Sequence, residues 1–92
     1  MQTIVQKILG RASGAAAVKA GDYLTCSVDL AMVHDSSGPR RLGPKLAELG
    51  MRLQDPDRLA VITDHYVPAQ DEASRAIQQS TRDWVAAEGV SN

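Results

Sequence analysis

The sequence predicts an α/β fold in which a partial parallel sheet is flanked by helices, in the order helix, strand, helix, strand, helix. Two short apolar runs, residues 28–33 and 59–62, have the length and composition of strands. A helix-like stretch separates them, and two strands joined through a helix are normally parallel neighbours with a right-handed connection. Other helix-like stretches precede the first run and follow the second, which completes the predicted order.

The first helix is predicted from apolar residues that recur with helical spacing after Thr3, which can cap the helix. These residues are Ile4, Val5, Ile8 and Leu9. The helix is expected to end near Gly10. From Tyr23 the pattern changes to period two, which predicts that residues 23–30 form a half-buried strand. Cys26 lies on the apolar face of this pattern and is interpreted as a core residue rather than a nucleophile.

The second helix is predicted from three leucines that line one side of a stretch ending at Gly50. They are Leu42, Leu46 and Leu49. Pro44 lies inside this stretch and is expected to open the helix in its first turn, after a loose turn. The continuous apolar run at 59–62 predicts a strand that is covered on both faces.

The last helix is predicted to begin at Asp71 and Glu72, whose charges suit the positive end of the helix dipole, and to end at Gly89. Its expected inner stripe is formed by Ala73, Ala76, Ile77, Ser80, Trp84 and Val85. Parallel sheets are normally buried between helix layers, so two strands are too few for a stable one, and a third strand is expected after this helix. Residues 1–92 are therefore interpreted as one incomplete α/β unit, the beginning of a larger domain.

The composition excludes several classes of function. The 92 residues carry a net charge of −1, without the basic patch that nucleic-acid binding requires. The single cysteine excludes an internal disulfide and a metal site built from several cysteines of this chain. No stretch has the length of a membrane span, and the N-terminus lacks the apolar core of a signal peptide. The expectation is a cytoplasmic protein that binds neither nucleic acid nor membranes.

The two histidines of the chain each lie beside an aspartate at the end of a predicted strand, as His34-Asp35 and Asp64-His65. If the strands are parallel neighbours, both pairs lie at the carboxyl edge of the sheet, where α/β proteins bind ligands. A carboxylate beside a histidine fixes the ring and favours its charged form, as general acid or base catalysis requires. Two other interpretations stay open. The four residues could only cap loops and helix ends, or they could together bind iron, zinc or manganese.

Several short segments occur in an order and spacing that resemble one known family. They are Gly21-Asp22, Val28-Asp29-Leu30, His34-Asp35, Ser37-Gly38-Pro39, Leu46-Ala47-Glu48-Leu49-Gly50, Asp55-Pro56-Asp57-Arg58 and Asp64-His65-Tyr66-Val67-Pro68-Ala69. Over essentially its whole length the chain resembles the N-terminal segment of the aconitase superfamily, and within it the large subunit of 3-isopropylmalate dehydratase and related hydro-lyases. Aconitases proper tend to have glutamine at the position of His34, which favours the dehydratase branch.

This resemblance implies a reaction, a cofactor and a set of roles. Members of the family reversibly remove or add water on hydroxy di- or tricarboxylic acids such as 3-isopropylmalate, which would place the chain in leucine biosynthesis. They use a 4Fe-4S cluster as a Lewis acid on the substrate hydroxyl. Asp64 and His65 match the family's acid pair, which assists protonation of the departing hydroxyl. His34 and Asp35 match positions that line the site for the substrate carboxylate.

Other parts of that machinery are missing from the sequence. The family's three cluster cysteines lie far downstream, Cys26 matches none of them, and the base serine and the substrate-clamping arginines belong to later segments too. The expectation is a portion of a hydro-lyase that is inactive without the remainder of the enzyme or a complementary subunit. The alternative from another class is a non-catalytic interaction module that docks or self-associates through an open sheet edge.

Overall fold

The computed structural model of the protein describes all residues, 1–92, and confirms the α/β class. The helices are α1 (Ile4–Ser13), α2 (Gly43–Glu48) and α3 (Glu72–Glu88), and the strands are β1 (Ala31–His34) and β2 (Leu59–Ile62). Two short helical turns that the sequence did not predict come between these elements, a π-helical turn at Gly38–Leu42 and a 3-10 turn at Pro56–Arg58.

The sheet consists of two parallel strands, as predicted. The register pairs Ala31 with Leu59 at one end and His34 with Ile62 at the other. The ladder continues one step further, because the backbone N–H of Asp35 donates to the carbonyl of Ile62 at 3.0 Å. The last residue of the chain returns to the other side of β2, where the Asn92 carbonyl accepts from the Val61 N–H at 3.0 Å.

Strand β1 is shorter than the alternating pattern predicts, and the prediction of a strand over residues 23–30 is wrong. The segment is extended without ladder partners, and Val28 and Leu30 are both more than half exposed. Alternation describes a strand only where a neighbouring strand supplies the hydrogen bonds. Here β2 begins at Leu59 and its register with β1 starts at Ala31, so no partner reaches the earlier residues.

Helix α2 begins as expected, with Pro44 in its first turn and the π-helical turn directly before it. An added Cβ at Gly43 would lie 2.8 Å from Nε1 of Trp84, so this glycine allows α2 and α3 to approach closely. Gly50 follows the helix with a φ of 64°, a conformation that glycine adopts at little cost. The predicted leucine stripe is only partly buried, because Leu42 and Leu49 are exposed.

Helix α3 is capped by Asp71, whose carboxylate accepts from the Ser74 N–H at 2.7 Å, and it ends at Gly89 as predicted. Its inner face differs from the predicted stripe by part of a turn. Ile77, Trp84 and Val85 are half-buried, whereas Ala73, Ala76 and Ser80 are exposed. Thr81 is the buried residue of the helix, and its hydroxyl has no hydrogen-bond partner.

Helix α1 runs to Ser13, beyond the predicted end near Gly10, and contributes no buried residue. Thr3 and Gln6 form a capping box at its start. The segment that follows α1 folds back on it, since the Ser27 N–H donates to the Ala12 carbonyl at 2.9 Å. The resulting molecule is elongated, with a radius of gyration of 16.9 Å where a compact domain of this length has about 12 Å.

Burial is sparse throughout the molecule. Eight of 92 residues are buried, and the apolar side chains among them are Val18, Leu59 and Val90, together with Pro39 in the π-helical turn. Leu59 is covered, but Ile62 at the other end of β2 is exposed, so the expected cover on both faces of this strand is incomplete. No helix is both long enough and apolar enough to cross a membrane.

Candidate acid–base site

The two His-Asp pairs lie together at the carboxyl edge of the sheet. His34 is the last residue of β1, and Asp64 and His65 follow β2 after one intervening residue. The parallel register places the ends of both strands side by side. The structure therefore brings together all four residues that the sequence predicted to meet at this edge.

One carboxylate contacts both imidazoles. Nδ1 of His34 lies 2.9 and 3.0 Å from the two oxygens of Asp64, and Nδ1 of His65 lies 2.7 Å from Oδ1 of the same residue. The two rings meet edge to face, with their centroids 5.2 Å apart. His34 and Asp35 do not bond to each other, whereas Asp64 bonds both to its neighbour His65 and, across the two strand ends, to His34.

These contacts determine which nitrogen of each ring carries a proton. The hydrogen bonds from His34 and then from His65 hold the pKa of Asp64 below the ordinary aspartate value. Asp64 is therefore ionised near neutral pH, and an ionised carboxylate only accepts hydrogen bonds. Both histidines must donate from Nδ1, which leaves their Nε2 atoms without a partner in the chain. Each Nε2 can exchange a proton with a bound molecule.

Asp35 differs from the other three residues because its side chain is 1% exposed. Its Oδ1 accepts from the backbone N–H of His65 at 3.2 Å and lies 3.5 Å from Nδ1 of the same residue. Its Oδ2 is buried without any hydrogen-bond partner. The carboxylate thus lies beneath the three residues joined by hydrogen bonds, His34, Asp64 and His65, which we call the acid–base group, rather than on the surface beside them.

The loop after His65 is tied to two other elements. The hydroxyl of Tyr66 accepts from the Arg40 guanidinium at 2.9 Å, and its carbonyl accepts from Nε2 of Gln78 at 2.6 Å. Sequence reasoning did not identify these residues. The sequence does show that Arg40 is a basic residue in the turn after β1. Its contact with Tyr66 could not be predicted, because the two residues are 26 positions apart and only the crossover between the strands brings them together.

Two clefts of the molecule lie away from these four residues. One, of about 720 Å³, opens at the amino ends of the strands between Cys26, Arg58 and Leu59. The other, of about 180 Å³, lies between β2 and α3 beside Thr81. His34, Asp35, Asp64 and His65 line neither of them. The side chains of the acid–base group are 37–50% exposed to solvent.

A four-iron cluster does not fit the residues of this chain. Such clusters are held by several cysteine thiolates, whereas the sequence has the single Cys26. That residue lines the cleft at the amino ends of the strands, opposite the edge that carries the histidines, and it is half-buried rather than part of the core. What this chain itself supplies at this edge is the set of histidine and aspartate side chains.

Three side chains of the site offer ligand atoms for a single metal ion. One ligand atom each from His34, Asp64 and His65 lies within 4.8 Å of the others. Tetrahedral zinc with bonds of about 2.0–2.2 Å requires its ligand atoms to lie about 3.4 Å apart. The two Nδ1 atoms lie closer than this to the Asp64 oxygens, at 2.7 to 3.0 Å. Both Nδ1 atoms already donate to Asp64, so a metal ion at this point would displace those hydrogen bonds.

No family model matches the chain. Curated proteins that are similar to it include the 3-isopropylmalate dehydratase large subunit of Herpetosiphon aurantiacus, which is 44% identical in an alignment that covers 99% of this chain. Large subunit 1 of the same enzyme from Methanopyrus kandleri is 39% identical over 90 residues, and that of Aquifex aeolicus is 36% identical over 90 residues. The resemblance to 3-isopropylmalate dehydratase large subunits is confirmed.

The similarity covers nearly all of this chain but only a part of each dehydratase subunit. The matched region is 97% of this chain and 21% of the Methanopyrus kandleri subunit, and 96% and 20% for that of Aquifex aeolicus. For Herpetosiphon aurantiacus it is 22% of the subunit. The chain therefore spans about a fifth of the length of the curated relatives that it matches.

Proposed function

We propose that the chain supplies the acid–base portion of a hydro-lyase that acts on a small 2-hydroxy di- or tricarboxylate such as 3-isopropylmalate. The observation that carries this proposal is the Asp64 carboxylate, which accepts hydrogen bonds from both histidines. The similarity to dehydratase large subunits supports the choice of reaction. The proposal assigns proton transfer to Asp64 and His65 and substrate placement to His34.

The proposed proton transfer uses the free nitrogen of His65. In its charged form the ring carries protons on both nitrogens, and the Nδ1 proton is held by Asp64 at 2.7 Å. When the carbon–oxygen bond of the substrate breaks, the Nε2 proton passes to the departing hydroxyl, which leaves as water. The neutral ring keeps its Nδ1–H bond to Asp64 throughout, so its orientation is preserved for the reverse reaction.

His34 suits the placement of an anionic substrate. Its ring lies beside that of His65, its Nδ1 is fixed by both oxygens of Asp64, and its Nε2 is free to donate to a substrate carboxylate when charged. Because this donor is already fixed, its side chain loses little conformational entropy when the substrate binds. The expectation that Asp35 also lines this site stays a prediction, and the burial of its side chain favours a different role.

Elimination of water also requires a base that removes a proton from the neighbouring carbon. In this proposal no residue of the chain acts as that base. The resemblance assigns it, with the cluster, to segments beyond those present here. We therefore propose that catalysis requires the remaining polypeptide of an enzyme of the relatives' kind, either in the same chain or as a complementary subunit. The exposed position of the acid–base group is consistent with cover from such a partner.

The proposal is tested in a hybrid enzyme. This chain replaces the matched 92 residues of the Herpetosiphon aurantiacus large subunit, and the rate of dehydration of 3-isopropylmalate is measured. Asp64→Asn and His65→Gln are each expected to lower kcat by a factor of about 10²–10⁴, the usual contribution of general acid–base catalysis. Asp29→Asn is the matched control, because Asp29 is exposed and precedes β1.

Unchanged turnover in both site variants, with circular dichroism like that of the parent, would remove the acid pair from the mechanism. A loss of turnover in the Asp29→Asn control would point to a general sensitivity to lost charge instead. In the isolated 92-residue chain, dehydration of 3-isopropylmalate is expected to be undetectable.

A further inference from the structure

The carboxylate of Asp35 is buried in an unusual way for a residue at a functional edge. The side chain is 1% exposed, one oxygen accepts a single hydrogen bond, and the other oxygen accepts none. Removing a carboxylate from water is costly unless its oxygens are bonded, so a half-satisfied one calls for an explanation. Side chains that contact substrate must present an atom to the site, and Asp35 presents none.

Asp35 holds the ends of both strands together. Its own N–H donates to the carbonyl of Ile62, the last residue of β2, at 3.0 Å. Its Oδ1 accepts from the N–H of His65, three residues later, at 3.2 Å. These two bonds, one through the backbone and one through the side chain, fix the course of residues 63–65 relative to β1.

We infer that Asp35 is a positioning residue that sets the place of His65, and that it acts on the reaction only through that residue. The inference rests on the proposed function of His65 as the proton donor. The anchored N–H fixes the backbone from which the imidazole extends, and Nδ1 then lies 2.7 Å from Asp64. Without the anchor the loop gains freedom, and the ring spends less time in the geometry that transfers a proton.

The contact with the His65 ring supports the same inference. Oδ1 of Asp35 lies 3.5 Å from Nδ1 of His65, further than the 2.7 Å to Asp64 and beyond a strong hydrogen bond. Asp64 is therefore the partner of the ring, and Asp35 is the partner of the backbone.

The test compares two substitutions in the hybrid enzyme. Asp35→Ala removes the acceptor and is expected to lower kcat on the order of 100-fold, the usual cost of a misplaced catalytic group, with KM unchanged. Asp35→Asn keeps an oxygen that can accept from the His65 N–H and is expected to recover kcat to within about threefold of the parent. Asp29→Ala is the control for loss of an aspartate near β1.

A rise in KM with kcat unchanged in both variants would make Asp35 a substrate ligand and overturn the inference. Equal losses of kcat in Asp35→Ala and Asp35→Asn would overturn it as well, because the backbone anchor would then not be what matters. If Asp64→Asn and His65→Gln both retain full turnover, the proposed function fails whatever the result at position 35.

A second measurement separates the anchor from catalysis. In the ¹⁵N-labelled 92-residue chain, hydrogen exchange of the His65 amide is expected to be slow in the parent and in Asp35→Asn. We expect it to be at least tenfold faster in Asp35→Ala, while the amides of α3 exchange as in the parent. An exchange rate that Asp35→Ala leaves unchanged would show that Asp35 does not hold His65.

Discussion

His34 and Asp64 are 30 residues apart in the chain, yet Nδ1 of His34 lies within 3.0 Å of both carboxylate oxygens of Asp64. The contact joins the ends of two parallel strands. It also means that the Asp64 carboxylate, which accepts a hydrogen bond from His65, accepts one from a second imidazole. Since the hydrogen bonds of Asp64 come from both rings, its titration reports on the integrity of the site.

The first prediction concerns that titration. Because the bonds from His34 and His65 lower the pKa of Asp64, His34→Ala and His65→Ala should each raise this pKa toward the ordinary aspartate value, with the larger rise for His34→Ala. The measurement is a ¹³C NMR titration of the carboxylate. Asp71 is an internal control, because its pKa is lowered by the Ser74 side chain and backbone instead and should not move.

The same shift sets the sign of a pH effect on stability. A carboxylate whose pKa is lower in the folded state contributes stability that is present above its unfolded pKa and is lost as the pH falls through the folded value. The contribution of Asp64 should therefore disappear only in the acidic range below the ordinary aspartate value. Melting temperatures of the parent and Asp64→Asn should converge there, and a constant difference down to the lowest pH would contradict the assignment.

The second prediction concerns the contact between α2 and α3. An added Cβ at Gly43 would meet Nε1 and Cδ1 of Trp84 at 2.8 and 2.9 Å. Gly43→Ala should destabilise the fold by about 1–3 kcal/mol through overpacking, although alanine is the better helix former. Urea unfolding is the measurement, with Ala47→Ser on the exposed side of α2 as the control. A Gly43→Ala variant that is more stable than the parent would show that α2 and α3 move apart at little cost in free energy.

The third prediction concerns self-association. Ile4, Val5 and Ile8 on α1 are all more than half exposed, and the helix has no buried residue. An uncovered apolar face of this kind favours association, which makes the melting temperature depend on protein concentration. Ile8→Lys should reduce that dependence, whereas Lys7→Arg on the same helix should not. A sharp, reversible melt of a monomer at every concentration would contradict the prediction.

The fourth prediction concerns metal ions. Since both Nδ1 atoms donate to Asp64, zinc should bind weakly to the 92-residue chain, and no metal should remain after gentle purification. Calorimetric titration with zinc is the measurement, and His65→Ala is its control. Tight binding that His65→Ala abolishes would favour the alternative of a small metal-binding protein over the acid–base proposal.

The site was more predictable than the element boundaries. Two His-Asp pairs at the ends of two apolar runs were enough to predict that all four residues meet, because parallel pairing aligns the carboxyl ends of strands. The sequence could not predict that Asp64 bonds to His34 of the other pair as well as to its neighbour His65, or that Asp35 is buried while Asp64 is exposed. Those differences depend on the loop that carries Asp64 and His65 over the end of β1.

The errors in the fold share a physical origin. Residues 23–30 alternate like a strand but have no partner, and α3 buries Thr81 rather than Ser80. Both predictions assume that other elements of a complete core cover the apolar face of the segment. Periodicity identifies an apolar face, but the neighbouring elements decide whether that face is covered.

Trp84 is the single tryptophan of the chain, and the backbone of Gly43 lies directly against it. Its indole fluorescence is thus an intrinsic reporter on the docking of α3 against α2, and no dye or label is needed. Because the four site residues lie at the ends of β1 and β2, emission that stays constant while their NMR signals change would separate local rearrangement of the edge from loss of the whole fold. A single optical signal can serve as the folding control for site variants made in the 92-residue chain.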